Sequence, residues 1–223
     1  MPILTVTADT NDTMIQGTSA VWATARGTAF AFDSTTQFPQ VGTRLTVQYL
    51  VYRQFLKFDT STIPAGSTIN QVNLQMVCVA DGSTESDFDV QIVKQNWSAQ
   101  DPIAAGNMDA AYDACLAGTL DQVWRNTAGI AINTVYTSPN LDTTWVVASG
   151  NTYYSLRSSL DFNNVVPTAN NYIQTASANH GTAAYRPKLV VDYTLPAAVA
   201  VSISPSIGSL MPRGGVRISP ARR

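Results

Sequence analysis

Few side chains in this sequence have the types and spacing that catalysis requires. The single histidine, His180, lies in a Gly- and Ala-rich segment at 176–186, and no Gly-x-Ser-x-Gly motif accompanies it. We therefore expect His180 to be an exposed loop residue and not the base of a catalytic triad. One histidine and two cysteines also fall short of the ligands that a zinc site usually takes.

Acidic residues are the remaining candidates for catalysis. Glycoside hydrolysis needs two carboxyl groups ~5–9 Å apart, but Glu85 is the only glutamate, and aspartate is an ordinary turn residue. We predict a non-enzymatic protein without a cofactor. The segment DTND at 9–12 is the nearest approach to a structural calcium loop, although a solvated turn is the simpler interpretation. The scattered turn aspartates are Asp81, Asp87, Asp101, Asp121 and Asp142.

Aromatic side chains could instead form a platform for a sugar. Trp97 and Trp145 fall within strand-like patterns, which favours a core position for both. The aromatic residues that are freer to face solvent are Trp22, Trp124, Tyr153 and Tyr154.

Composition favours β-structure and a mildly acidic body. Charged residues make up 13% of the 223 residues, against roughly 25% in a typical domain, and Thr, Ser, Asn and Gln replace them. Residues 1–194 hold 9 basic and 15 acidic residues, a net charge of −6. This charge argues against nucleic-acid binding by the body.

Cysteine use and the termini narrow the class of protein. Cys78 lies in an apolar run and is most simply a buried hydrophobe, while a bridge to Cys115 has no positive support. The N-terminus lacks the features of a secretory signal, and no apolar run approaches the ~20 residues that span a bilayer. We expect a soluble protein that does not act at a membrane.

The hydrophobic pattern predicts many short strands. Alternating runs include residues 45–58, 69–79 and 88–97, and later ones include GIAINTVYT, TTWVVASG at 143–150 and PKLVVDYT, with turn signals between them. Ile63–Gly66 has the signature of a type I turn, and either a small bulge or a strand start near Asn70 would reconcile the alternation that follows. These features predict an all-β, antiparallel jelly-roll β-sandwich.

One short helix is predicted within this sandwich. Asn107 can cap the segment MDAAYDACLAG, and Gly118 can end it. Its apolar stripe would let the helix plug one end of the sandwich. The stripe consists of Met108, Tyr112, Cys115 and Leu116.

The composition changes after Thr194. Residues 195–223 contain recurrent prolines and four basic residues without an acid. We predict a jelly-roll domain over 1–194 and an extended, partner-docking tail over 195–223, which would pair with a neighbouring subunit by strand addition and charge. The basic residues proposed to contact the partner are Arg213, Arg217, Arg222 and Arg223.

Three blocks of the chain resemble the DNRLRE family of jelly-roll modules, which is related to the disaggregatase repeat and to carbohydrate-binding modules. The blocks are RQFLKFDTSTIPAGSTINQVNLQM, VQIVKQNWS and RPKLVVDYT. The resemblance implies the fold more than a ligand. Its matching positions are Arg53, Leu56, Phe58, Asp59, Ile63, Pro64, Gly66, Ile69, Trp97, Arg186, Pro187, Leu189, Val191 and Tyr193.

These observations lead to one expected function and one alternative. We expect a structural or adhesive virion component, such as a bacteriophage head-decoration or tail protein, that assembles with itself or with other virion subunits as an oligomer. A phage protein is released by lysis, which agrees with the missing export signal. The alternative is an extracellular carbohydrate-binding module whose partners are glycans.

Overall fold

The computed structural model describes residues 1–84 and 86–197. The strands are β1 Ile3–Thr7, β2 Thr13–Ser19, β3 Ala31–Asp33, β4 Gln40–Leu45, β5 Tyr49–Asp59, β6 Thr68–Asp81, β7 Asp89–Lys94, β8 Thr119–Asn126, β9 Thr134–Thr137, β10 Asn151–Ser158, β11 Asn171–Thr175 and β12 Lys188–Thr194. The helices are α1 Trp22–Gly27, α2 Met108–Ala117 and α3 Ser159–Phe162. The predicted all-β fold is confirmed.

All strand pairs are antiparallel, and their main path runs β1-β12-β6-β11-β4-β5-β10-β7-β8. The sheet divides at β5. Along one edge β5 pairs with β2, and along the other it pairs first with β4 and then with β10. Strand β4 leads through β11 into one layer of the sandwich, while β10 leads through β7 into the other.

The two faces of β5 bury different sets of side chains because successive residues of a strand point to opposite faces. Leu56 and Phe58 belong to the inner core between the two layers, which also contains Leu74 of β6 and Ile92 of β7. Val51 and Phe55 belong to a second, outer core. Residues of α1 and α2 cover that outer core, so helices protect the second face of the sheet from water.

The predicted helix is confirmed at both ends, but its position differs from the prediction. Helix α2 spans Met108–Ala117, with Tyr112 and Cys115 buried against the outer core. It therefore lies on the outer face of the sheet and does not plug one end. The side chain of Asn107 does not cap the helix; it accepts a hydrogen bond from the backbone of Ala104 instead. The short helices α1 and α3 were not predicted, although Ser158 caps α3 and Asp161 lies in its first turn.

The segment after β5 shows one confirmed prediction and one correction. Gln71 pairs with Asp192 and Ile69 pairs with Tyr193, which leaves Asn70 as the extra residue of a bulge, one of the two arrangements predicted. The turn lies one residue later than predicted. Ser67 donates its backbone N–H to the carbonyl of Pro64, and Gly66 has a φ of 78°. A positive φ at the third turn position defines a type II turn and favours glycine there.

Two other predictions concern cysteine and membranes. Cys78 and Cys115 are both buried and unbridged, one in the inner core and the other in the outer core. Burial raises the pKa of the Cys78 thiol to about 12, which agrees with an inert core residue. None of the helices in the described part of the chain has the length and apolarity needed to cross a membrane.

Candidate functional site

The residues predicted from sequence to bind a partner lie outside the described part of the chain. Arg213, Arg217, Arg222 and Arg223 all follow residue 197, so partner docking by the tail stays a prediction. The boundary predicted at 194 coincides with the end of β12.

His180 does lie in a loop, but the prediction that it is exposed was wrong. His180 is only 9% exposed, and its ring packs between the rings of Phe38 and Tyr185. The imidazole Nδ1 accepts a hydrogen bond from the backbone N–H of Thr182 at 3.0 Å. The loop folds back on itself around the histidine, which gives His180 a structural role.

The DTND segment forms a turn whose last carboxyl group is buried. Asp9 accepts the backbone N–H of Asn11, whereas Asp12 is 3% exposed and accepts the N–H of Ala178 at 2.9 Å. The other oxygen of Asp12, Oδ1, has no partner within the described residues. Desolvation raises the pKa of Asp12 to about 7. Within residues 1–84 and 86–197, no three metal-ligating side chains come together.

The exposure of the tryptophans is nearly the reverse of the prediction. Trp97 is buried as expected, but Trp22 and Trp124 are also buried, being 7% and 2% exposed. Trp145 is the half-buried tryptophan. The segment that contains it was predicted as a strand, but the structure forms a 3-10 helix over Thr143–Trp145. The neighbouring Tyr153 and Tyr154, predicted to be freer to face solvent, are likewise largely buried.

Trp145 is held in place by three local contacts. The carboxylate of Asp142 accepts the backbone N–H of Thr144 at 2.9 Å and caps the 3-10 helix. The backbone N–H of Trp145 bonds to the carbonyl of Asp142, and its indole Nε1 donates to the carbonyl of Tyr153 at 2.8 Å. The polar edge of the indole is therefore satisfied internally, which fixes the orientation of the ring.

A groove in two parts surrounds this indole, and we call it the Trp145 groove. Its narrow part has a volume of about 230 Å³ and its wide part about 590 Å³. The two parts share Asn96, Thr144 and Trp145. The narrow part is completed by Val147 and Tyr153; the wide part is completed by Lys94, Gln95, Ala114, Ala117, Gly118, Thr119 and Asp142.

The floor of the groove depends on the close approach of α2 to β7. Gly118 follows the last residue of α2, and a Cβ at this position would lie 2.4 Å from the Cγ1 of Val93. A larger residue would push the end of the helix away from the strand. Gln95 is 5% exposed and donates its Nε2 to the carbonyl of Ala111, which ties the helix to the chain after β7.

Aromatic packing supports the narrow part from beneath. The rings of Tyr153 and Trp97 meet edge to face at 4.8 Å, and the Trp97 ring meets Phe55 at 6.0 Å. The hydroxyl of Tyr153 donates to Asp101 at 3.1 Å, and the same carboxylate is paired with Lys57 at 2.8 Å. The wall formed by Tyr153 is therefore fixed at both its ring and its hydroxyl.

One ion pair lines the wide part of the groove. The Lys94 ammonium lies 2.6 Å from Oδ2 of Asp142, and both side chains are partly exposed, 23% and 31%. The hydrogen bond from Lys94 is the main cause that lowers the pKa of Asp142 to about 2, with Thr144 adding to it. Asp142 is thus ionised at every physiological pH.

Two of the scattered aspartates meet behind this ion pair. The carboxylate of Asp121 accepts the backbone N–H of Asp142 at 3.0 Å, and burial raises the pKa of Asp121. The carboxylate of Asp142 is occupied by Lys94 and by the N–H and hydroxyl of Thr144. Because both oxygens of Asp142 already accept hydrogen bonds, and Oδ2 only one, the geometry suits a fixed hydrogen-bond acceptor better than a nucleophile.

A second cluster of charges lies buried beneath the helices, and we call it the arginine network. Asp161, which is 0% exposed, accepts both Nε and Nη2 of Arg53 at 2.8 and 2.9 Å, in a bidentate pair. Arg157 also donates to this carboxylate, at 3.1 Å, and Arg26 approaches it at 3.3 Å. The guanidinium of Arg53 in addition lies 3.8 Å from the centre of the Tyr112 ring.

The remaining donors of the network bind backbone carbonyls of the helices, and all of these except the carbonyl of Tyr112 lie in the last turn of a helix. Arg53 donates to the carbonyls of Tyr112 and Arg26, and Arg157 donates to those of Cys115 and Leu116. The last carbonyls of a helix have no partner within the helix and carry partial negative charge. These carbonyls therefore offset part of the surplus positive charge of the network.

The network determines the charge of Asp161. Desolvation by burial acts to raise the pKa of this carboxyl, but the charges and hydrogen bonds of Arg53, with Arg157 and Arg26, outweigh it and hold the pKa below its usual value. The group is charged, fully paired and closed to water. Its geometry indicates a structural role that joins α1, α2 and α3 to the sheet.

No protein-family model matches the chain, and no curated protein is significantly similar to it. The DNRLRE resemblance therefore stays a prediction. Most of the positions that carry it are buried, including Arg53, Leu56, Phe58 and Trp97. They contribute to the inner core, the outer core and the arginine network, which agrees with the structural role expected for them.

Sequence reasoning identified Arg53 but missed its partners and missed the groove. Asp161 and Arg157 stand four residues apart at the end of β10, a spacing that also occurs on any helix surface. For Trp145, the one available signal was the cap: Asp142 followed by two threonines is a common start for a helical turn. The polar–apolar alternation of TTWVVASG favoured a strand instead, and the prediction followed the alternation.

Proposed function

We propose that this protein is a non-enzymatic, adhesive β-sandwich module that binds a carbohydrate in the Trp145 groove. The observation that carries the proposal is the indole of Trp145, held by its Nε1 bond to Tyr153 and bordering both parts of the groove. An aromatic ring fixed in this way offers an apolar face to a sugar ring at little cost in side-chain entropy.

The chemistry around the indole suits hydroxyl groups. Asn96 and Thr144 are exposed polar residues on the rim of both parts, and Lys94 and Asp142 supply a charged donor and a charged acceptor. Small-molecule sites combine an apolar wall with a few placed polar groups in volumes of ~300–1,000 Å³. The wide part, at 590 Å³, can take one or two sugar rings.

The proposal is tested by replacing the indole. We expect Trp145→Ala to weaken glycan binding at least about tenfold, a loss of ~1.4 kcal/mol, whereas Trp145→Phe keeps part of the affinity. Binding is measured by isothermal titration with a ligand chosen from a glycan array. The tryptophan fluorescence of the wild type gives a second readout, because the other three tryptophans are buried.

Phe30→Ala is the matched control. Phe30 is 66% exposed and lies outside the groove, so its removal deletes a solvent-accessible aromatic ring without changing the groove. Circular dichroism of each variant verifies the fold. The proposal is wrong if Trp145→Ala and Phe30→Ala bind a glycan equally well, or if the wild type binds none.

The expected role in a virion is compatible with this proposal and stays a prediction. It depends on self-association through residues 195–223, of which only 195–197 are described. An adhesive module of a phage particle and an extracellular carbohydrate-binding module would both use the same groove. The two roles would differ only in how the module is attached, which in a virion would be to neighbouring subunits.

A further inference from the structure

We infer that the Trp145 groove selects uncharged glycans over acidic ones, and that the Lys94–Asp142 pair is the determinant of this selection. The inference rests on the proposed function and specifies the class of its ligand. It follows from the charges around the groove. A lysine at a sugar site would ordinarily favour an acidic ligand, but the lysines here are paired with aspartates.

Each lysine near the indole is already neutralised by aspartate. Lys94 lies 2.6 Å from Asp142, and the carboxylate of Asp121 stands directly behind that aspartate. On the far side of Tyr153, Lys57 lies 2.8 Å from Asp101 and 3.6 Å from Asp9. Both lysines therefore sit in local surroundings with at least as much negative as positive charge.

An anionic sugar would gain little in such a place. To pair with Lys94, a uronate or sialate carboxylate would have to approach Asp142, and two like charges at that separation repel each other. Among the described residues that line the wide part, the charged ones are Lys94 and Asp142. These described residues thus offer an acidic ligand no unpaired cation.

A sugar hydroxyl fits the same pair without that penalty. A hydroxyl can donate to a carboxylate and accept from an ammonium at the same time. The partly exposed ends of Lys94 and Asp142 present these two partners side by side. Vicinal hydroxyls of a neutral sugar stacked on Trp145 can therefore bridge the pair while both charges stay matched.

The experiment compares paired neutral and uronic-acid oligosaccharides of equal length on the full chain. We expect the wild type to prefer the neutral member at least about fivefold, which is ~1 kcal/mol. Binding of the neutral ligand should change little with ionic strength, because no net charge is neutralised. Asp142→Asn should lower the preference at least about threefold by freeing Lys94, since asparagine can keep the cap on Thr144.

Two further variants complete the test. Lys94→Met leaves Asp142 unpaired and should raise the preference for the neutral ligand. Asp192→Asn changes the net charge as Asp142→Asn does, but it lies on β12 outside the groove and should leave the preference unchanged.

The possible failures are distinguishable. If the wild type binds the acidic ligand better, or if Asp142→Asn leaves the preference unchanged, the inference on charge is overturned while sugar binding stands. If neither ligand binds and neither alters tryptophan fluorescence, the proposed function itself is wrong. Release of shortened sugars from either ligand would overturn the non-enzymatic assignment instead.

Discussion

The arginine network and the Trp145 groove lie against the same helix and use ion pairs in opposite ways. In the network, Arg53, Arg157 and Asp161 are at most 1% exposed. In the groove, Lys94 and Asp142 are 23% and 31% exposed. The network binds backbone carbonyls of α2 from Tyr112 to Leu116, while Ala114, Ala117 and Gly118 line the groove.

The difference shows that burial and donor geometry separate structural charges from charges available to a ligand. A guanidinium is planar and carries five donors, and those of Arg53 are distributed between one carboxylate and the carbonyls of two helices. An ammonium is compact and remains hydrated. Lys94 can therefore hold Asp142 and still offer hydrogen to a molecule that enters the groove.

The largest expected effect comes from breaking the network at its single acid. Asp161→Asn keeps the shape of the side chain but leaves buried arginines without a counter-charge. Removing one partner of a buried ion pair usually costs ~3–5 kcal/mol. We expect a loss of free energy of unfolding of about that size, measured by urea denaturation at pH 7.

The wild type should also lose stability in acid for the same reason. The folded pKa of Asp161 is depressed, so its contribution to stability is present above the unfolded pKa of ~3.9 and is lost as pH falls further.

The control for Asp161→Asn is Arg26→Met, which removes the partly exposed arginine and should lower the free energy of unfolding clearly less. Equal losses would show that the buried pairs are not the main contributors.

An intermediate effect is expected at Asp12, which is a buried carboxyl group without an arginine. Its folded pKa is raised to about 7, so the contribution of Asp12 to stability is fully present below the unfolded pKa of ~3.9 and is lost as pH rises through 7. Asp12→Asn cannot ionise. We expect it to be more stable than the wild type at pH 8 by about 2–4 kcal/mol, with a smaller difference at pH 5.

Asp12 and Asp161 are similarly buried, but their contributions to stability should respond to pH in opposite directions. Urea denaturation of the wild type and of Asp12→Asn at pH 5 and pH 8 measures the difference in free energy of unfolding. Parallel pH dependence in the wild type and Asp12→Asn would contradict the prediction. Such a result would show that folding does not raise the pKa of Asp12.

The smallest effect is expected in the groove. Lys94→Met breaks an exposed ion pair, and such pairs contribute little to stability. We expect the melting temperature to change by no more than about 3 °C, although the same variant alters ligand preference. A shift as large as that of Asp161→Asn would mean that the groove is part of the structural framework and that the contrast between the two regions is false.

Local patterns in the sequence were enough to predict several features of the fold. The all-β class, the bulge at Asn70 and the span of α2 at 108–117 could each be predicted, because alternation, helical spacing and terminating glycine act over a few neighbouring residues. Arg53 could be singled out through a resemblance, but not the partners that it binds.

The tertiary structure alone decided which side chains are covered. Trp22 is buried because the outer core closes over it, whereas Trp145 stays partly accessible in a 3-10 helix that Asp142 caps. The partners of Arg53 come from positions 108 and 59 residues away in the chain. Exposure and long-range pairing depend on which distant segments meet, and no local pattern encodes that information.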